Sequence, residues 1–347
     1  MGSELTSIRS ILGLNPILAP DRLSPASRFK PGEASRHSHT GPIVPKGIGP
    51  SEKQAAGARQ AHPLLPLVQA IPTESALDAG ALGFMAKFLV QTTLPHSEQT
   101  GTQYVRTDGD VTLRITDVGG AGLPYGSYPR LILIWMTTEA VRTGNRELVL
   151  GSSLSSFMAQ LGLQATGGHW GTIPRFRDQM QRLVGAAIST RWSHEADGQS
   201  HLEGENLLVA DRFHLWWTPQ ALPTETRAKS TVTLSVNFFD QLVAAPVPLD
   251  LRAIRVLKKS PLALDLYAWA TRRVSYLSRP TLISWESLRR SFGAGYADTP
   301  QGRSCFRAKA VEAFRRIAVV YPELKIESHE DGLLLLPSGP HIPKVLR

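Results

Sequence analysis

The chain has 347 residues, enough for two ordinary domains with tails, and 42% of them are apolar, which excludes a wholly disordered protein. Its single cysteine, Cys305, excludes an internal disulfide and suits a reducing cytosol. Lys and Arg (38) exceed Asp and Glu (29) by 9, and the excess is concentrated: between Leu251 and Val320 fourteen basic residues stand against four acids (Asp265, Glu286, Asp298, Glu312), a local balance of +10. A field of this kind suits a polyanion, most often nucleic acid, and the plainer alternative is a basic surface kept for solubility.

Taken in chain order, residues 1–62 are rich in Pro, Gly, Ser, Arg and His and have no sustained periodicity. They read as a disordered basic tail whose surplus charge adds weak, non-specific attraction to DNA. The opening stretch from Met1 to Asn15 carries Glu4 and Arg9 and no long apolar run, so no signal peptide is expected. Nor does any uncharged apolar run approach the ~18 residues of a membrane span. The expectation is a cytoplasmic protein with no membrane partner.

Residues 63–121 predict an N-terminal helix and a β-hairpin. The helix is expected over Leu64 to Thr93, with Ala79, Leu82, Met85, Phe88 and Leu89 on one face. The hairpin is expected where Tyr104–Arg106 and Val111–Ile115 flank Asp108-Gly109.

Two segments then repeat one order of elements, over 122–246 and 247–347. Each opens on an apolar helix, Pro129 to Arg142 and Ser260 to Leu277; matching Pro129 to Pro261 lays Ile132, Ile134 and Trp135 on Leu264, Leu266 and Tyr267. A short extended run follows, then a helix with a serine at its start and a glycine at its stop: Ser153 to Gly162, and Ser284 to Gly293. The proline-to-glycine separations are 33 and 32 residues. Third helices carry Ile173, Phe176, Met180, Leu183 and Val184 in one copy and Phe306, Ala310, Ala313, Phe314 and Ile317 in the other. Strand-like runs close each copy: Ala187 to Ser193 with Leu207 to Trp217, and Leu324 to Glu327 with Gly332 to Leu336. Helix, strand, helix, helix, hairpin is the order of a winged helix. The fold class expected is therefore α+β, with two tandem winged-helix (helix-turn-helix) domains after the tail. The alternative is chance likeness among short amphipathic helices.

In such a unit the third helix buries one side and offers the other to the major groove. Arg175, Asp178 and Arg182 fall opposite the Ile173/Phe176/Met180 stripe, with Arg177 nearer its edge and Thr172 and Gln179 on the flank. In the second copy the outward and flanking positions include Arg303, Ser304, Arg307, Lys309, Arg315 and Arg316, with Arg289 and Arg290 approaching from the preceding helix. The arginines and Lys309 are the candidate DNA contacts, since arginine clamps phosphate or bonds bidentately to guanine. The loop Thr166–Thr172 reads as flexible enough to bring N–H groups and hydroxyls to a phosphate, with Trp170 expected to pack on the core. Trp216-Trp217 and the Val232 to Phe239 region read as core or as a protein contact.

No catalytic centre is expected. The chain lacks the Gly-x-x-x-x-Gly-Lys-Ser/Thr phosphate loop, its ten histidines show no zinc spacing, and Cys305 has no CxxC partner. His37-Ser38-His39 falls in the tail and lacks the strand setting of a paired-histidine nickase. No cofactor or metal is expected.

Several long words in one order carry a resemblance. DAGALGFMA (Asp78–Ala86), GLPYGSYPRL (Gly122–Leu131), TTEAVRT (Thr137–Thr143), TGGHWGTI (Thr166–Ile173), RDQM (Arg177–Met180) and LKKSPLALD (Leu257–Asp265) are similar to the plasmid-encoded RepA replication initiator family. The likeness runs from about Ala76 to about Tyr321 and leaves the tail uncovered. It implies binding to direct repeats (iterons) in double-stranded plasmid origin DNA, local opening of the duplex and recruitment of host replication proteins, an initiator and a helicase. It also implies a homodimeric form that represses its own promoter. A winged-helix transcriptional repressor with no part in origin opening is the alternative.

Overall fold

The computed structural model describes residues 41–42, 64–91, 93–108, 111–151, 153–196, 199–215 and 229–343. The tail over 1–62 lies outside them except for Gly41–Pro42, as does Trp216-Trp217. In chain order the elements are β1 (Gly41–Pro42), α1 (Leu65–Ala70), β2 (Leu82–Met85), α2 (Lys87–Gln91), β3 (Gln103–Asp108), β4 (Val111–Asp117), α3 (Ser127–Thr143), β5 (Glu147–Gly151), α4 (Leu154–Gln160) and α5 (Thr172–Val184). There follow β6 (Ala186–Ala196), β7 (Gln199–Leu208), β8 (Ala210–His214), β9 (Ser230–Leu234), α6 (Val236–Ala244), β10 (Val247–Asp250) and α7 (Leu251–Leu257). The chain continues through α8 (Pro261–Val274), β11 (Thr281–Ser284), α9 (Trp285–Phe292), α10 (Pro300–Val320), β12 (Ile326–Ser328) and β13 (Gly332–Leu335). The protein is thus a mixed α+β molecule whose paired strands form antiparallel sheets.

The elements fall into two compact units, each assembled from separated segments. Gly83–Val247 with Arg290–Gly295 forms the first, and the second takes residues 64–82, Pro248–Arg289 and 296–343.

In the first unit, β3 and β4 pair in antiparallel register from Gln103↔Thr116 to Asp108↔Val111, the hairpin expected around Asp108-Gly109. It continues through β6 and β7 into a four-stranded sheet, while β5, β9 and β8 make a three-stranded one. The helices α3, α4 and α5 share an aromatic core in which Trp135 meets Phe157 edge-on (centroids 4.7 Å apart), Phe157 meets Phe176 (5.8 Å) and Tyr128 meets Phe176 (5.7 Å). Ser153 caps α4 by accepting from the Ser156 N–H. Gly162, at φ 70°, ends it in a Schellman turn, with the Leu163 N–H bonded to the Met158 carbonyl at 2.8 Å. Arg130 is buried, and its guanidinium donates to the carbonyls of Leu94 (2.6 Å), Gly126 (2.7 Å) and Pro95 (3.1 Å), clamping the start of α3 to the chain before it.

In the second unit, α8 buries residues all round, from Leu262 to Thr271. Trp269 meets Phe314 of α10, and Tyr296 meets Phe306. Strands β12 and β13 form a hairpin, and β11 adds along β13 from Thr281↔Leu335 to Ser284↔Gly332.

The single helix expected over Leu64 to Thr93 is not formed. Pro66 sits at the start of α1, Pro72 follows its end, and Gly80 takes a left-handed φ of 60°. Burial from Ala81 to Met85 then alternates with a period of two, that of a strand. A tertiary contact holds the turns that follow α1: buried Arg252 of α7 donates to the carbonyls of Glu74 (2.8 Å) and Ala70 (3.4 Å) while paired with Asp250 at 2.7 Å.

Candidate nucleic-acid interface

In the first unit the residues of interest sit on α5 and the loop before it. Thr166 and Thr172 bind each other reciprocally: the N–H of each donates to the other's hydroxyl oxygen at 2.9 Å. The Thr172 hydroxyl also donates to the Gln164 carbonyl at 2.6 Å, and the Ile173 N–H to the Thr166 carbonyl at 3.2 Å. Gly171 stands where a Cβ would run into the carbonyl oxygens of Thr166 and Gly167. The loop is therefore a closed, locked turn and not the flexible one expected, and its hydroxyls are spent on its own closure. Trp170 is 86% exposed, which corrects the expectation that it packs on the core.

Along α5 the four polar positions differ sharply. Arg175 is exposed, its Nε donating to the Gly171 carbonyl at 3.2 Å, and Arg177 is half-buried. Arg182 is enclosed by carboxylates instead, with Asp178 at 3.0 Å, Glu98 at 3.1 Å and the Leu123 carbonyl at 3.3 Å, and it lies 5.3 Å from the Tyr125 ring centroid. Burial lowers its pKa, but the hydrogen bonds and charges of Asp178 and Glu98 outweigh that and raise it. Gln179, expected on the flank, is buried and accepts from the Tyr125 N–H at 2.7 Å.

The second unit places its cations around α9 and α10. Thr299 caps α10 by accepting from the Gly302 N–H. The outward strip starts with small groups, Ser304, Cys305 and Ala308, and continues through Glu312, Arg315 and Arg316 to Val319, all exposed. Lys309 is exposed at its flank. Glu312 takes Arg316 at 3.2 Å and Arg315 at 3.8 Å. At the start of the helix, Asp298 holds both Arg303 (2.8 Å) and Arg289 (3.1 Å), and Arg289 also meets Glu286. Arg307 turns the other way: its guanidinium lies 5.2 Å over the Trp285 ring and donates to the His329 carbonyl at 3.1 Å, which also accepts the Trp285 Nε1–H. Arg290 is exposed in the short segment Arg290–Gly295.

The structure thus leaves Arg175, Arg290, Arg303, Lys309, Arg315 and Arg316 open to solvent, while Arg177 and Arg289 are half-buried and Arg182 and Arg307 tie elements together. Helical periodicity could not have found the clamps on Arg182 and Arg307. Their partners Glu98 and His329 are distant in sequence.

No group of three or more His, Cys, Asp or Glu among the described residues could hold a metal ion, and none of their helices is long and apolar enough to cross a membrane. Residues 123–287 match the family model described as plasmid encoded RepA protein, from the turn before α3 into α9. The match to that family is confined to this segment, just under half of the chain. The segment contains the Trp170 loop and α5, whereas α10 lies beyond it. Solved structures that resemble the chain include two of RctB. A selenomethionine derivative of domains 2 and 3 of RctB has 8% sequence identity and a TM-score of 0.48, covering 73% of this chain and 96% of that one. Another crystal structure of RctB domains 2-3 has 10% identity and a TM-score of 0.46, covering 71% and 94%. No curated protein matches the chain by sequence.

Proposed function

We propose that this chain is a plasmid replication initiator that binds iteron repeats in double-stranded origin DNA, opens the duplex locally and recruits host replication proteins. The observation that carries this reading is the RepA-family segment over residues 123–287, which holds the first cation-bearing helix. Function on this reading is non-enzymatic: binding energy distorts the duplex, and no bond in the DNA is cut. The chain works in the cytoplasm, needs no cofactor, and represses its own promoter as a homodimer.

The DNA-reading elements on this proposal are α5 and α10, each the third helix of a winged-helix unit. Supporting it in the second unit is the order α8, β11, α9, α10, β12, β13, with β11 added to the edge of the closing hairpin. The first unit keeps that order from α3 to β7, but β5 pairs with β9, and the β6–β7 hairpin extends the β3–β4 sheet. Its wing is more elaborate than the two strands expected. The exposed cations Arg175, Arg303, Lys309, Arg315 and Arg316 supply the phosphate contacts, with Arg303, Arg315 and Arg316 exchanging their surface carboxylate partners for phosphate, and the small residues Ser304 and Ala308 let α10 approach the groove floor.

Footprinting on the plasmid origin tests this. Protection of regularly spaced direct repeats beside an AT-rich stretch is the expected result. A plasmid that replicates normally after deletion of the gene overturns the initiator reading, and protection of a promoter palindrome alone favours the repressor.

A further inference from the structure

We propose that Trp170 is a stacking platform for an unpaired nucleobase, so that the first unit holds single-stranded DNA; this rests on the reading of the chain as a DNA-binding initiator. Tryptophan is highly buried on average, because burying its large apolar ring is favourable. Here the ring stands 86% exposed at the tip of a loop. It has not merely swung out of place. The reciprocal Thr166–Thr172 bonds, the Gly171 N–H on the Gly168 carbonyl at 3.0 Å, the left-handed φ of 82° at Gly168 and the missing Cβ at Gly171 all fix the backbone on either side of it. His169 packs edge-on against it at 4.7 Å and leaves ring surface open.

The surroundings select the ligand. The exposed neighbours Thr166, Gly167, Gly168 and His169 form no apolar patch, and a protein-docking anchor sits in an apolar, desolvated centre. From Gln164 to Arg177 the chain carries no acid and two arginines. Exposed Arg175 lies on the first turn beyond the ring, held on the Gly171 carbonyl. An exposed aromatic face with a cation on the next turn of the chain is a pairing that suits single strands, the ring taking a base and the cation a phosphate. The start of α5 does not do the cation's work, because the N–H groups of Thr172 and Ile173 already bond Thr166 and Pro174 has none.

The test uses the full chain, a labelled oligothymidylate of about twenty nucleotides and a labelled origin duplex, with binding followed by anisotropy. Trp170→Ala is expected to weaken oligothymidylate binding about tenfold and change duplex binding less than about twofold, while Trp170→Phe keeps most of the single-strand affinity. Equal single-strand binding by wild type and Trp170→Ala overturns the proposal, as does an equal loss on duplex. Wild type that binds duplex and no single strand also overturns it, and leaves the initiator reading standing. Wild type that binds neither form sinks both.

Discussion

A guanidinium has N–H donors to divide, and Arg182 spends its own on Asp178 at 3.0 Å, Glu98 at 3.1 Å and the Leu123 carbonyl at 3.3 Å. These bonds join α5 to two preceding loops of the first unit. Replacing Arg182 with Ala is expected to lower stability by about 1–3 kcal/mol, read from denaturant unfolding, because three acceptors lose a charged donor. Lysine should recover only part of that loss, since it lacks the planar fork. Were Arg182 instead to read a base, stability would hold and the loss would appear on the cognate site alone. Gly171 makes a second demand at this scale: any Cβ there meets the carbonyls of Thr166 and Gly167. Gly171→Ala should therefore cost about 1–3 kcal/mol and spread the emission of the exposed tryptophan, while Gly167, with nothing near its Cβ position, should accept alanine with little change.

At the scale of elements, α10 divides its cations between two tasks. Lys309 and Arg315 are exposed, and on the DNA reading each neutralises a phosphate. Changing either to Gln should reduce affinity for all DNA sequences and lower the salt slope by about one for each phosphate left without its cation. A slope that does not move would remove that residue from the interface. Arg307 is different. It bridges α10, the Trp285 ring of α9 and the His329 carbonyl at the β12–β13 turn. Arg307→Ala is expected to loosen that turn, seen as faster amide exchange at Trp285 and His329, and to weaken binding indirectly. The helical-face argument proposed Arg307 as an outward or flanking DNA contact of α10 and had no means of seeing the Trp285 ring and the His329 carbonyl that engage it.

For the molecule as a whole, the buried cluster around His341 links stability to pH. The Tyr267 hydroxyl accepts from the Asp250 N–H at 3.0 Å and lies 2.7 Å from His341 Nδ1, while the imidazole stacks on Tyr321. Burial pushes the His341 pKa below its ordinary value of about 6.5, only partly offset by the Asp250 and Glu323 charges, with Arg252 lowering it further. The neutral ring is the form the fold prefers. Its contribution is fully present above about pH 6.5 and is lost as pH falls toward the lowered value. Thermal unfolding of the second unit should weaken through that window, and His341→Gln should flatten the dependence. An unchanged slope would show that the carboxylates alone set it.

Local pattern was enough to specify the α+β class, the positions of α3, α4, α8 and α9, the apolar faces of α5 and α10, and the β3–β4 hairpin. Apolar residues at helical spacing, a serine start, a glycine stop and Asp108-Gly109 all act within a few residues of themselves. The resemblance of residues 123–287 to the plasmid-encoded RepA family was legible in the same way, since long words in order need no coordinates. The stretch after Leu64 carries its own breakers in Pro66, Pro72 and Gly80, but the bonds that hold its turns come from Arg252, which only the folded chain brings there. The same distinction governs the interface. Charge and periodicity proposed ten cations, but whether a guanidinium meets solvent or a carboxylate depends on chains that arrive from elsewhere, Glu98 for Arg182 and His329 for Arg307. Trp170 is a different case: hydrophobicity argued for burial, but the folded chain leaves the ring in water on a loop closed by its own two threonines and the missing Cβ of Gly171, a closure that composition alone does not show.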